Sequence, residues 1–152
     1  VHDFKVAQRT VIGGDSRLTS RVAQLYWGYI YYGQEPNIIQ CSSDESEAIK
    51  YFSNTFLAYK VAYFNKVYDM CEKLGMDYKH VREGITTDRR IGESHTKVPG
   101  IDRDRGFGGT CFPKDLNSLI VQMDEHEVNS KIFKEVWKYN QKIRTKIDWT
   151  VT

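Results

Sequence analysis

The stretch "SSDESEAIKYFSNTFLAYKVAYFNKVYDMCEKLG", Ser42 to Gly75, constrains the fold more than any other part of the chain. Its apolar residues Ile49, Phe52, Phe56, Val61, Phe64, Val67, Cys71 and Leu74 repeat near the helical period. Ser42 or Ser43 can open a helix with acids in its first turn, and Gly75 can close it. From about Asp44 to Leu74 the pattern predicts one helix, which at about 1.5 Å per residue spans roughly 45 Å. A domain small enough to be built on this helix cannot cover all of it, so part of its apolar surface is expected to meet another subunit or domain.

With 152 residues the chain has the length of one domain with a proper core. Hydrophobic residues at 40% and charged residues at 28% are those of an ordinary water-soluble protein. A net charge of +2 is too small to argue for nucleic acid. Neither a signal peptide nor a hydrophobic run of membrane-spanning length is visible, so a cytoplasmic location is expected. Cys41, Cys71 and Cys111 are odd in number and widely spaced, which suggests neither a disulfide framework nor a structural zinc site and leaves at least one free thiol.

Ahead of the long helix, "RTVIGG" predicts a short strand, and Asp15 or Ser16 can cap a helix bearing Val22, Leu25, Tyr26 and Tyr29, with Gly33 as its stop. "IIQCS" predicts a second strand, so Thr10 to Cys41 forms a strand, helix, strand unit whose strands lie parallel. Two strands make a poor sheet alone. The chain also opens at Val1 as if in mid-protein, so a fragment is expected, with a partner domain carrying the rest of the sheet. Beyond Gly75 the sequence predicts a shorter helix around Tyr78 to Gly84 and a loop rich in Arg, Gly, Pro and Asp from Thr86 to Gly109. Helix restarts at "PKDLNSLIVQMDEH" and again at "NSKIFKEVWKYNQKIRTKI".

Cys71 on the apolar stripe and Cys41 in a strand read as core. Cys111, in "RGFGGTCFPKD", differs: it follows Gly106, Gly108 and Gly109, precedes the Pro113 that would start a helix, and has Lys114 close by. A helix N-terminus and a nearby ammonium both favour thiolate, the nucleophilic form of cysteine. Closely spaced glycines let backbone approach a ligand, and their amides can hold a phosphate or an oxyanion. "GFGG" does not follow a strand, so it is not a dinucleotide fingerprint. Lys50 and Asn54, at i and i+4 on the long helix, present a cation and an amide on one face. His2, His80, His95 and His126 lack ligand or triad spacing, and only His95 lies in a loop of interest. On these residues alone two other readings stay open. One is a helical interaction module without chemistry, in which the long helix dimerises; the other is a cysteine hydrolase, for which no aligned histidine is present.

"EAIKYFSNTFLAYKVAYFN", "DRRIGESH" and "GFGGTCFPKD", in this order, resemble the central domain of the UDP-glucose/GDP-mannose dehydrogenase family, and the resemblance covers nearly the whole chain. It implies a mainly α fold, like the C-terminal domain of 6-phosphogluconate dehydrogenase, built on one long helix after a short β-α-β remnant of the NAD-binding domain. Residues 1–43 would be the edge of that NAD-binding domain and 44–152 the central dimerisation and catalytic domain. The activity implied is a four-electron oxidation of a nucleotide sugar's C6 alcohol to a carboxylate with two NAD, UDP-glucose giving UDP-glucuronate. GDP-mannose and UDP-N-acetylmannosamine are the alternative substrates. Cys111 matches the family's nucleophile, which forms a thiohemiacetal and then a thioester. Lys50 and Asn54 match the pair that stabilises the C6 oxyanion and positions water, and Asp115 matches the carboxylate acting with that water.

Further matches concern binding. Lys114 matches a residue near NAD, and Arg90 an arginine that reaches a neighbouring subunit's sugar site in a homodimer. Lys97 lies where the family's loop wraps base and phosphates, and Phe107, Gly108 and Gly109 match the strip that holds the sugar. The chain departs from the family in a longer loop, Ile101 to Arg105, which leaves the base open. It also lacks the NAD-binding fingerprint and the C-terminal nucleotide-binding domain, so turnover by the chain alone is not expected.

Overall fold

Ser42 and Glu45 open the long helix reciprocally. The Glu45 carboxylate accepts from the Ser42 amide at 2.8 Å and from its hydroxyl at 2.9 Å, while the Ser42 hydroxyl accepts from the Glu45 amide at 3.2 Å. This capping box places the first helical residue at Ser43. At the other end Gly75 adopts φ of 68°, which an L side chain resists, and the Met76 amide folds back to the Cys71 carbonyl at 2.9 Å. In a computed structural model, which describes residues 9–29 and 37–149, the elements run β1 (Thr10–Gly13), α1 (Ser16–Tyr29), β2 (Ile38–Cys41), α2 (Ser43–Leu74), α3 (Tyr78–Thr86), α4 (Cys111–Glu125) and α5 (Lys131–Ile143). The protein is therefore mainly α, with a short N-terminal β-α-β unit, as the sequence implies. Gly33 and His2, singled out above, lie outside the described residues. Two compact units divide between Lys50 and Tyr51, inside α2.

In the first unit β1 and β2 pair parallel, Thr10 opposite Ile38 and Gly13 opposite Cys41. The Asp15 carboxylate accepts the Arg17 amide at 2.9 Å and so caps α1. Gly13 is a matter of space: a Cβ there would overlap the Ser46 side chain at the start of α2. Thr19 and Ala23 are the buried residues of α1, whereas Val22 and Leu25 are exposed. The inward face carries the short side chains, and no described element covers the larger apolar ones.

The second unit has two cores. Ala58 and Ala62 of α2, Phe107, Leu116 and Ile120 of α4, and Val136 of α5 form one cluster. Phe64 and Cys71 of α2 with Tyr78 of α3 form the other. The apolar stripe read from the sequence thus splits over two faces of α2. Phe64 and Cys71 point inward, Phe52, Phe56 and Leu74 are exposed, and the first core is reached instead through alanines one turn apart. Leu116 is fully buried at the centre of the first core.

Two helix ends differ from expectation. α4 begins at Cys111 rather than Pro113, because proline's missing N–H costs nothing within the first helical turn. α5 stops at Ile143 instead of continuing to Ile147, because Arg144 leaves the helix with φ −83° and ψ 137° to meet carboxylates from a loop and from the following segment.

Candidate functional site

Cys111 is the first residue of α4 and is exposed, with the Thr110 hydroxyl 3.9 Å from its sulfur. One turn on, on the same face, Asp115 is fully buried. The Asn54 amide, from α2, donates to its Oδ2 at 2.6 Å across 61 residues of sequence. The Lys114 ammonium stands 3.1 Å from Oδ1 and 5.8 Å from the centre of the Tyr51 ring. Donating to Asp115 and sitting in its field raises the Lys114 ammonium above its ordinary range. Lys50 lies one turn before Asn54 on α2, on the first unit's side of the boundary. Cys41 is half-buried and Cys71 fully buried, and all three cysteines are free thiols.

The backbone leading to Cys111 is held by side chains that the sequence did not single out. Asn140 of α5 clamps Phe107 at both backbone groups: its Oδ1 accepts the Phe107 N–H at 2.7 Å, and its Nδ2 donates to the Phe107 carbonyl at 2.9 Å. The Phe107 ring is buried in the core, 6.4 Å from each of the Phe112 and Trp137 rings. A Cβ on Gly106 would overlap Asn140, and one on Gly108 would overlap the Arg144 guanidinium. Two of the glycines therefore make room for the protein's own side chains, while Gly109, at φ 72°, borders open space.

Arg144 is in turn enclosed. Its guanidinium reaches Asp102 at 2.7 Å and Asp148 at 2.8 Å. Asp104 accepts the Thr145 amide at 3.0 Å and the Lys146 amide at 2.8 Å. Burial pushes the Asp104 carboxyl up, but hydrogen bonds from Lys146, Arg105 and Thr145 outweigh it and hold the group below the usual carboxylate range. Asp148 behaves likewise: burial pushes it up, and Arg144 with the Gly109 amide brings it down further. The loop Ile101 to Arg105, the departure noted in the sequence, is thus a brace for the segment after α5.

The other loop presents its cations outward. Arg90 grips Asp88 through Nε at 3.0 Å and Nη2 at 2.6 Å, yet its side chain is 89% exposed. Lys97 is exposed as well. Behind this loop Lys60 of α2 is buried, donating to the carbonyls of Ile91 at 2.7 Å and Gly92 at 3.1 Å. His95 adopts φ of 62° with its ring 5.5 Å from that of Phe112; burial first, and then the charge of Lys60, lower its pKa.

The structure therefore brings Asn54, Lys114 and Asp115 together one turn from Cys111, and turns Arg90 toward Asp88 and solvent. Lys60, Asn140 and Arg144 escaped the sequence reading. A lysine inside "LAYKVAYF" is a signal of sorts, a charge among apolar neighbours. Asn140 carries none, because its partners are backbone groups distant in sequence, and of the acids around Arg144 only Asp148 lies within a turn of it.

Chemically, a thiol at a helix start with a buried carboxylate, an amide and an ammonium behind it suits attack on a carbonyl followed by activation of water. The sequence profile of the UDP-glucose/GDP-mannose dehydrogenase family, central domain, matches residues 44–142. The chain is 35% identical over 142 residues to a UDP-glucose 6-dehydrogenase of Rickettsia prowazekii, covering 93% of this chain and 31% of that protein. It is 35% identical over 130 residues to a UDP-glucose 6-dehydrogenase of Rhizobium meliloti, covering 84% of this chain and 28% of that one. The structure of a UDP-glucose dehydrogenase from the hyperthermophilic archaeon Pyrobaculum islandicum superimposes with a TM-score of 0.78 at 32% identity, over 93% of this chain and 31% of that chain. The chain thus spans about three-tenths of the length of the relatives it matches. With the family profile running through α2 to α5, the chain belongs to the UDP-glucose/GDP-mannose dehydrogenase family, of whose proteins it carries the central domain.

Proposed function

We propose that this chain is the catalytic-cysteine domain of a nucleotide-sugar 6-dehydrogenase that converts UDP-glucose to UDP-glucuronate. The observation that carries this reading is the 2.6 Å hydrogen bond by which Asn54 holds the Asp115 carboxylate one turn below Cys111. In the proposal the C6 alcohol first loses a proton and a hydride to become the aldehyde. The Cys111 sulfur then adds to it, forming a C–S bond while the carbonyl oxygen gains negative charge, and Lys50 and Asn54 stabilise that charge. Loss of hydride from the resulting thiohemiacetal leaves a thioester. Asp115 then takes a proton from water as the water attacks the thioester, which expels the thiolate and releases the acid. UDP-glucose is favoured as substrate because the curated relatives above are UDP-glucose 6-dehydrogenases.

NAD is the oxidant in this proposal, but the described residues do not make its site. The turn between β1 and α1 reads Gly13, Gly14, Asp15, Ser16, with Gly13 packed on Ser46 and the Asp15 carboxylate at the helix N-terminus, where a phosphate would need amides. We assign NAD to a domain outside this chain, with Lys114 as a contact from here. Residues 1–43 then belong to the edge of that domain and 44–152 to the central one, and the chain alone is inactive.

Dimerisation belongs to the same proposal. Phe52, Phe56, Tyr59, Tyr63 and Met70 recur at spacings of four, three, four and seven along α2, and all are exposed. Such a seam on one helix suits its counterpart in a second copy, and Arg90, turned to solvent, would serve the partner's site with Lys97 and the strip Phe107 to Gly109 as further substrate contacts. Among the described residues no helix is long and apolar enough to cross a membrane, and a cytoplasmic location is part of the proposal.

Cys111→Ser in the complete enzyme tests the reading. Formation of the sugar acid is expected to vanish, because an alkoxide cannot replace the thiolate as leaving group at neutral pH. A variant that makes glucuronate at the wild-type rate overturns it. On the isolated chain, iodoacetamide is expected to modify exposed Cys111 before buried Cys71, as read by peptide mass.

A further inference from the structure

Lys60 is a charge that the chemistry above does not use. Only 9% of it is exposed, and among the described residues no carboxylate lies within ion-pair distance of its ammonium. Burial without a counter-ion disfavours the charged form, and the pKa of Lys60 is lowered for that reason. A methionine or leucine would fill the same space without this cost. What the ammonium does instead is donate to two successive carbonyls, those of Ile91 and Gly92, as a charged donor stronger than a neutral one.

Those carbonyls close a tight turn. The Asp88 carbonyl accepts the amides of Ile91 at 2.9 Å and Gly92 at 3.1 Å, and the Asp88 carboxylate accepts the Arg90 amide at 3.0 Å. Arg90 therefore sits at the crest of the turn, and among the described residues its guanidinium bonds to Asp88 alone. The next ties along the chain are the ring of His95, 5.5 Å from that of Phe112, and Thr96, whose carbonyl accepts the Tyr78 hydroxyl at 2.5 Å. Without Lys60, the turn would hang between the end of α3 and His95.

We infer that Lys60 is a positioning residue for substrate binding, its ammonium fastening the Arg90-bearing turn to α2. This rests on the reading of Arg90 as a substrate contact. A guanidinium on a loosened turn must be ordered when the substrate binds, so affinity falls while the chemistry at C6 is untouched.

The experiment has two arms. On the folded chain, brief trypsin treatment followed by mass spectrometry reads cleavage after Arg89 and Arg90. Lys60→Met is expected to speed it about tenfold while cleavage after Lys138 in α5 stays constant, and Lys60→Arg to reverse the gain. In the complete enzyme, Lys60→Met is expected to raise KM for the nucleotide sugar about tenfold with kcat within about twofold, again reversed by Lys60→Arg. Arg90→Ala is the companion variant.

Unchanged cleavage at Arg89 and Arg90 in folded Lys60→Met overturns the inference. So does a loosened turn with unchanged KM while Arg90→Ala raises KM, an outcome that leaves the role of Arg90 standing. An Arg90→Ala enzyme with unchanged KM removes the role of Arg90 and the inference with it. If Lys60→Met does not fold, Lys60→Gln, which keeps a donor without the charge, takes its place with the same readouts.

Discussion

The backbone leading to Cys111 and the turn bearing Arg90 are both irregular segments of the second unit, yet they are held in different ways. Phe107 is clamped at its N–H and its C=O by one asparagine, Gly108 is pressed on Arg144, and Asp115 beyond the thiol is buried and bonded to Asn54. The Arg90 turn is exposed, closed on itself by Asp88, and tied behind by Lys60. A nucleophile that misses its carbonyl by an ångström loses rate steeply, whereas a recognition cation can finish its placement when ligand arrives. With the roles proposed for Cys111 and Arg90, the density of ties follows that difference in tolerance.

The chemical side of the comparison is expected to break hardest. Lys50→Ala in the complete enzyme should slow turnover by about a hundredfold or more, the scale of losing one oxyanion-stabilising donor. A kcat within a few-fold of wild type would remove Lys50 from the oxyanion's surroundings. Next comes the clamp. Asn140→Ala leaves a buried N–H and a buried C=O of Phe107 without partners, which is expected to cost the isolated chain about 2–4 kcal/mol in urea unfolding. A loss below about 1 kcal/mol would mean that the strip does not depend on it.

Acid should act on both sides, because Arg90 likewise holds the Asp88 carboxyl of the exposed turn below its ordinary value. The folded carboxyls of Asp104 and Asp148 titrate below the ordinary value of 3.8, so their contribution to stability is complete above that value and is lost as pH falls through the lower folded values. The urea midpoint is expected to stay level from neutral pH to about 5 and to drop below about 4, with a smaller drop in Asp104→Asn. An Asp104→Asn chain whose acid profile matches wild type would show that Asp104 contributes nothing to it. The smallest effect belongs to the exposed turn: Arg90→Ala should leave the urea midpoint of the isolated chain unchanged, and a clear drop would make Arg90 part of the fold.

Local chemistry explains what the sequence disclosed. Both strands and their parallel pairing followed from short apolar runs separated by a helix, and the ends of α2 from Ser42 and Gly75, whose roles act within a few residues. The division of labour around α2 was not legible in the same way. Periodicity alone put Phe52 and Phe56 in line with Phe64, and only the placement of α4 and α5 decides that Ala58 and Ala62 face the core. In the candidate site, Asn54 and Asp115 could be paired from the family resemblance, and the structure bonds them. The supports behind the site, Lys60, Asn140 and Arg144, act on backbone and carboxylate atoms 31 to 42 residues away, and no spacing rule reaches that far.

Positions 108 and 144 occupy one volume between them. The guanidinium of Arg144 fills the space in which a side chain on residue 108 would begin. Any larger residue at 108 must expel the arginine from its carboxylates, and shortening residue 144 is what could make such a change tolerable. In a mutational history the two would behave as a single locus, each change a suppressor of the other. The empty side of Gly108 is the imprint of an arginine.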